Sequence, residues 1–328
     1  MTVRGDAITP ADITARIPAA RQALLGAAYR TPLEPAPWLS TVSDAQVAVK
    51  LECYQPTGSF KVRGALAAIS QLGEKSRRSG VVTASAGNHG LGVAYAAQRA
   101  GIAVTVVVPE DASLAKVAAL RRFPIELLLV GVDYDAAERA GRLLAAERNT
   151  MFLSPYNDPW VIAGQGTIGP ELLEDLPGLD AVLIPTGGGG LPVGIGAWLK
   201  AVKPGVRIIG VQSDASPAME RALRAGRLVD IDVRPSLADG ITGNIERGSV
   251  TFSLAQVVID QVALVSEAEI AGAIKASFHE LHLALEGSAV VGIAALLSGR
   301  IDGLAGKQVA EIVTGRNIAA ERLCQLLH

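Results

Sequence analysis

Apolar runs alternate with amphipathic stretches along most of the chain. Ala103–Val108 reads AVTVVV, and Ala181–Ile184 and Val206–Val211 are similar short runs. Runs that are apolar at nearly every position predict strands buried on both faces. Between them, Ser113–Arg122 and Asp133–Arg148 carry apolar residues at helical spacing. This alternation predicts an α/β fold, mostly parallel sheet flanked by helices. Ser266-Glu267-Ala268-Glu269 follows the apolar run ending at Val265 and forms a capping box, a helix start. Gln308–Val313 predicts a last strand. No fixed-period repeat and no low-complexity linker interrupts the pattern. Boundaries are expected near Arg78–Gly80 and Ser154–Pro159. The chain ends soon after its last strand and helix, so no appended regulatory domain is expected.

Composition narrows the function classes. A chain of 328 residues suits two lobes better than one small domain. Only 4% of it is aromatic, which argues against a base-stacking surface. The net charge is −2 with no basic block, so neither nucleic acid nor an anionic membrane is an expected partner. The start, MTVRGDAITPADI, lacks a leader-length apolar core, and no apolar run reaches a membrane span. Cys53 and Cys324 cannot build a disulfide framework, which points to a reducing, cytoplasmic setting.

Three stretches carry chemistry. In Thr57–Ala65 (TGSFKVRGA), Thr57, Gly58 and Ser59 suit a helix start and place Lys61 in its first turn. The helix dipole disfavours a cation there, and burial would lower its pKa further, making a better nucleophile or base. A solvated lysine beside Arg63 is the plain alternative. Gly187-Gly188-Gly189-Gly190-Leu191 follows the strand Ala181–Ile184, so backbone N–H groups can converge on an anion. It is neither a Walker loop nor a dinucleotide fingerprint, although a sharp turn alone would also use glycines. Ser85-Ala86-Gly87-Asn88-His89-Gly90 follows the strand-like Val81–Thr83. Its donors suit a carboxylate, or Ser85 or Asn88 simply caps a helix. His279 and His282, three apart on a probable helix with Glu286 four further on, lack the H-E-x-x-H spacing, so no metal is expected.

Together with Ala163–Gly169 (AGQGTIG) and Glu286-Gly287-Ser288-Ala289, these motifs strongly resemble the serine/threonine dehydratase family, from about Thr31 to Asn317. These are pyridoxal-phosphate enzymes of the tryptophan-synthase-β fold type. The resemblance implies a two-lobed α/β fold. Residues 1–78 and 156–328 would form a large cofactor-binding domain, and 79–155 a small mobile one. It implies that Lys61 carries the cofactor aldehyde and later moves protons. Phe60 would pack near the cofactor, Gly187–Gly190 and Leu191 would cradle its phosphate, and Asn88 would bond its ring hydroxyl. Thr314 stands where the family's serine faces the ring nitrogen. Ser85, Ala86, Gly87, Asn88 and His89 would line the substrate carboxylate site. The implied reaction is loss of water from L-threonine or L-serine, giving a 2-oxo acid and ammonia. A homodimer is implied as well.

Several positions depart from the family. Racemases of this group carry a serine where Ala86 sits, and alanine cannot exchange a proton, so elimination is favoured. The metal-binding branch has acids where Gln212 and Ala218 stand, and Asp214 alone is a poor cation site. Arg316 replaces a glycine, and Tyr156 replaces a smaller polar residue. They are either a solvent-facing Arg and a packed Tyr, or a reshaped pocket for an acidic substrate such as 3-hydroxyaspartate. A cofactor-binding protein with little turnover and, more remotely, a nicotinamide oxidoreductase complete the alternatives.

Overall fold

The computed structural model describes residues 8–328. Residues 1–7, part of the start read as lacking a leader, lie outside the described residues. Ten strands form two sheets: β1 (Leu33–Pro35), β2 (Gln46–Lys50), β3 (Val81–Ala84), β4 (Val104–Val108), β5 (Glu126–Leu129), β6 (Met151–Phe152), β7 (Ala181–Pro185), β8 (Arg207–Ser213), β9 (Gln261–Val265) and β10 (Gln308–Ile312). The six-stranded sheet runs β1-β2-β10-β7-β8-β9, and the four-stranded sheet runs β5-β4-β3-β6. Every pairing is parallel except β1 with β2.

The apolar runs became central strands for the expected reason. Every residue of β3, β4 and β7 is buried, because helices cover both faces of a parallel sheet. Helices begin where side chains satisfy their first N–H groups. Asp133 caps Tyr134–Glu147, Ser113 caps Leu114–Leu120, and Ser266 with Glu269 closes the capping box of Glu267–Glu280. No described helix is long and apolar enough to cross a membrane.

β10 enters the sheet between β2 and β7, with Ala310 opposite both Ala48 and Val182. Strand order therefore reverses beside β10, and a crevice opens outside the carboxyl ends of such strands. The segments leaving β10 and β7 are Val313–Asn317 and Thr186–Gly190, and Ser85–Gly87 leaves β3 in the other sheet. Two of the motifs singled out above therefore begin at strand ends.

The helix Lys61–Ser70 is pressed against Pro159–Gly166. A Cβ on Gly164 would lie 2.6 Å from the Cα of Gly64, and one on Gly64 would lie 2.8 Å from the carbonyl oxygen of Val161. The side chain of Gln165 accepts from the N–H of Gly64 at 3.2 Å. The AGQGTIG motif thus lets two helix backbones touch.

Candidate active site

Lys61 is the first residue of its helix, and Phe60, at the N-cap position, makes no side-chain cap bond. Thr57 and Ser59, read as helix-start residues, do not cap it. Their hydroxyl oxygens are buried and without partners. The reason is tertiary: Ser59 bridges to Gly315, and the Phe60 N–H donates to the Thr314 carbonyl at 3.1 Å. The end of β10, not a local cap, fixes where this helix starts.

Two residues further on, Arg63 anchors the same turn in the interior. It is only 1% exposed. Its guanidinium donates to Glu52 at 2.7 and 2.8 Å, to Glu171 at 2.7 and 2.9 Å, and to Thr167 at 3.0 Å. Buried Lys50 also meets Glu171 at 2.7 Å. Two cations and two carboxylates balance, which is the condition for burying charge without a large penalty.

The Lys61 amine donates to the Pro155 carbonyl at 3.1 Å and lies 5.2 Å from the Phe60 ring centroid. Burial lowers its pKa to about 8, against the opposing pull of the Glu286 carboxylate. Glu286 is itself pushed up to about 7, by burial first and by the charge of Asp239 second. Its Oε1 accepts from Asn88 Nδ2 at 2.7 Å. The sequence offers Glu286 only through its motif and beside the rejected histidine pair, because its partner Asn88 lies 198 residues away.

Tyr156, next to Pro155, rests on the glycine loop. A Cβ on Gly188 would lie 2.6 Å from the Tyr156 ring, and one on Gly190 would lie 3.0 Å from its Cβ. The Tyr156 hydroxyl accepts from the Glu246 N–H at 3.0 Å. Gly189 precedes the helix Gly190–Val202 at φ +92°, a left-handed conformation suited to glycine. Among the described residues, the N–H groups of Gly187, Gly188, Gly189, Gly190 and Leu191 donate to no protein acceptor. Unpaired donors at a helix N-terminus fit a phosphate.

Gly87, not Ser85 or Asn88, is the N-cap of the helix Asn88–Ala100. The Ser85 hydroxyl accepts from the Gly87 N–H at 3.2 Å, and Ala86 is half-buried beside it. His89 is buried, with Nε2 3.2 Å from the Leu153 carbonyl and Nδ1 unpartnered. A carbonyl only accepts, so Nε2 carries the proton and Nδ1 is a bare acceptor. Burial and the nearby Lys61 charge hold its pKa down at about 3, so the ring is neutral. The imidazole cannot donate from Nδ1 to a carboxylate; the backbone N–H groups at this helix start are the suitable donors.

Thr314 is buried at the end of β10. Arg316 is exposed, with its guanidinium 5.9 Å from the Tyr54 ring centroid. His279 ends its helix region while His282 sits beyond it at φ +54°, so the two do not share a helical face as expected. Gln212 spends its amide on the Glu220 N–H at 2.9 Å and the Ser216 carbonyl at 3.4 Å. No group of three metal-ligating side chains occurs among the described residues. A concavity of about 360 Å³ lined by Asp214, Arg221 and Asp232 shares no residue with this constellation.

The arrangement offers an amine for an aldehyde, five free N–H groups for a phosphate, and an amide for a ring hydroxyl. Residues 24–315 match the family model described as pyridoxal-phosphate dependent enzyme. An L-threonine ammonia-lyase of Thermotoga maritima is 40% identical over 309 residues, covering 94% of this chain and 76% of that protein. The processed form of threonine deaminase isoform 2 from Solanum lycopersicum superposes with a TM-score of 0.90 at 33% identity, over 98% of this chain and 88% of that one. Maize serine racemase gives a TM-score of 0.89 at 28% identity, over 95% and 96%. By the family model over residues 24–315 and these relatives, the chain belongs to the pyridoxal-phosphate-dependent enzyme family.

Proposed function

We infer that this chain is an ammonia-lyase that removes water from a β-hydroxy amino acid, L-threonine or L-serine, to give a 2-oxo acid and ammonia. The observation that carries the reading is a half-buried lysine amine of lowered basicity, linked through Pro155 and Tyr156 to an unpaired glycine loop. The relatives named for threonine deamination support the substrate class.

The cofactor, when bound, supplies an electron-withdrawing ring that acidifies the substrate Cα–H. Lys61 would hold its aldehyde, Gly187–Gly190 and Leu191 its phosphate, Asn88 its ring hydroxyl and Thr314 its ring nitrogen, with Phe60 packed alongside. Helix-start N–H groups of Ala86, Asn88 and His89 would hold the substrate carboxylate, with the Gly87 N–H engaged by Ser85. Lys61, once displaced, would take the Cα proton; a pKa of about 8 suits a base working near neutral pH. Ala86 offers no proton for the opposite face, which supports elimination over racemisation despite the likeness to a racemase. The exposed placement of Arg316 over Tyr54 and the packing of Tyr156 on the loop support the ordinary substrates over 3-hydroxyaspartate. Residues 79–155 would act as a small domain closing over the site, with 1–78 and 156–328 as the cofactor-binding domain. The enzyme would be a cytoplasmic homodimer that needs no metal.

The test is 2-oxo acid release by cofactor-loaded protein from L-serine, L-threonine and the 3-hydroxyaspartate isomers. Fast release from threonine supports the reading. Release from hydroxyaspartate alone would move the substrate, and full turnover by Lys61→Ala would end the account.

A further inference from the structure

We infer that Glu286 and Asn317 are positioning residues that fix the side-chain amide of Asn88 in one orientation, so that it presents an N–H to the cofactor. The inference rests on the reading of Asn88 as a cofactor-binding residue. The amide of Asn88 lies between two groups brought from far along the chain. Its Nδ2 donates to Glu286 Oε1 at 2.7 Å, and its Oδ1 accepts from Asn317 Nδ2 at 2.6 Å.

The two contacts have opposite polarity, and that sets the orientation. A flipped Asn88 would turn its oxygen toward the Glu286 oxygen and its nitrogen toward the Asn317 nitrogen. With Glu286 ionised both contacts would become repulsive at hydrogen-bond distance, and with Glu286 protonated the Asn317 contact alone opposes the flip. Asn317 is itself held the right way round, because its Nδ2 also donates to the Thr57 carbonyl at 2.9 Å. An amide nitrogen carries two hydrogens, so Glu286 takes one and leaves one for a ligand oxygen.

The surrounding backbone is cut away for these two side chains. A Cβ on Gly315 would lie 2.2 Å from Glu286 Oε1. A Cβ on Gly58, at φ +76°, would lie 2.6 Å from Asn317 Oδ1. Gly315 forms one side of the Ser59–Gly315 bridge that seats the Lys61 helix, and Gly58 adjoins the other. The room for the amide clamp and the seat of the lysine are therefore one element. Lys61, Asp239 and Lys116 are the other charges near Glu286. A Glu286 carboxyl in either protonation state keeps an acceptor oxygen for Asn88.

The test is a double-mutant cycle on cofactor affinity, read from the absorption of the bound cofactor in Asn88→Ala, Asn317→Ala, Glu286→Ala and the two doubles containing Asn88→Ala. Each single change is expected to weaken cofactor binding about 5- to 30-fold and to shift the visible band. Neither second change should add to Asn88→Ala, because both act through that amide. A merely structural role would add in the doubles and would lower the unfolding midpoint of the cofactor-free protein. Asn317 is exposed, so its variant keeps the test open if Glu286→Ala fails to fold. Additive losses, or an Asn317→Ala protein indistinguishable from the parent, overturn the inference alone. An Asn88→Ala protein that binds cofactor normally overturns the site reading and the inference with it.

Discussion

Glu311 should be a liability that can be removed. It lies on β10, the strand flanked by β2 and β7, and is fully buried. Among the described residues neither carboxyl oxygen makes a hydrogen bond of good geometry, the Ile312 backbone N–H being the one weak polar neighbour. A Cβ on Gly292 would lie 1.9 Å from Glu311 Oε2, so a glycine on the covering helix makes the space. Burial pushes the Glu311 carboxyl well above its usual range, and the fold therefore holds it neutral. A neutral polar group buried without a partner costs about 1–3 kcal/mol. Methionine has similar length and no such cost, so Glu311→Met should stabilise the protein by about that amount at mildly acid pH.

The advantage should grow with pH, and the sign follows from proton release. In the unfolded chain this carboxyl ionises above about 4.3, while the fold keeps it protonated. Unfolding then releases a proton, so the parent loses stability as pH rises from there toward the folded midpoint. The slope is about 1.4 kcal/mol per pH unit over that window. The contribution is intact only below the unfolded midpoint. Urea unfolding of both holoenzymes at a series of pH values, with unchanged slopes in urea, measures the difference. A variant no more stable than the parent, or a gap that does not widen with pH, would refute the reasoning and require a hidden partner for Glu311.

Other perturbations test separate parts of the molecule. In the cofactor-free protein, amine labelling at Lys61 should rise with a midpoint near pH about 8, because burial favours its neutral form; a midpoint like that of surface lysines would contradict the half-buried amine. Glu171→Gln leaves Arg63 with Glu52 and Lys50 with only the more distant Asp175, at 3.8 Å, and should cost about 3–5 kcal/mol, seen as a lowered unfolding midpoint. Gly188→Ala should weaken cofactor binding by driving a Cβ into the Tyr156 ring, and adding Tyr156→Ala should recover much of the loss by titration with cofactor.

The chain's own pattern determined the local structure. The apolar runs at β4 and β7, the Asp133 cap and the Ser266–Glu269 box involve residues within a few positions of each other, so their physics is complete in a short window. The glycine loop was legible as a strand-to-helix turn for the same reason, whereas the role of Lys61 came from the family resemblance, because the end of β10 and not a local cap seats its helix. Tertiary structure decided the rest. The antiparallel β1 edge, the entry of β10 between β2 and β7, and the seating of Phe60 by Thr314 depend on strand order, which no window contains. So do the Asn88–Glu286 contact, the neutral His89 and the four buried charges around Arg63. An alternating polar residue such as Glu311 reads as ordinary strand, and only the packing of the sheet leaves it buried without a protein partner among the described residues. Periodicity and capping act over three or four residues, whereas burial and charge pairing act on whatever the topology brings within a few ångströms.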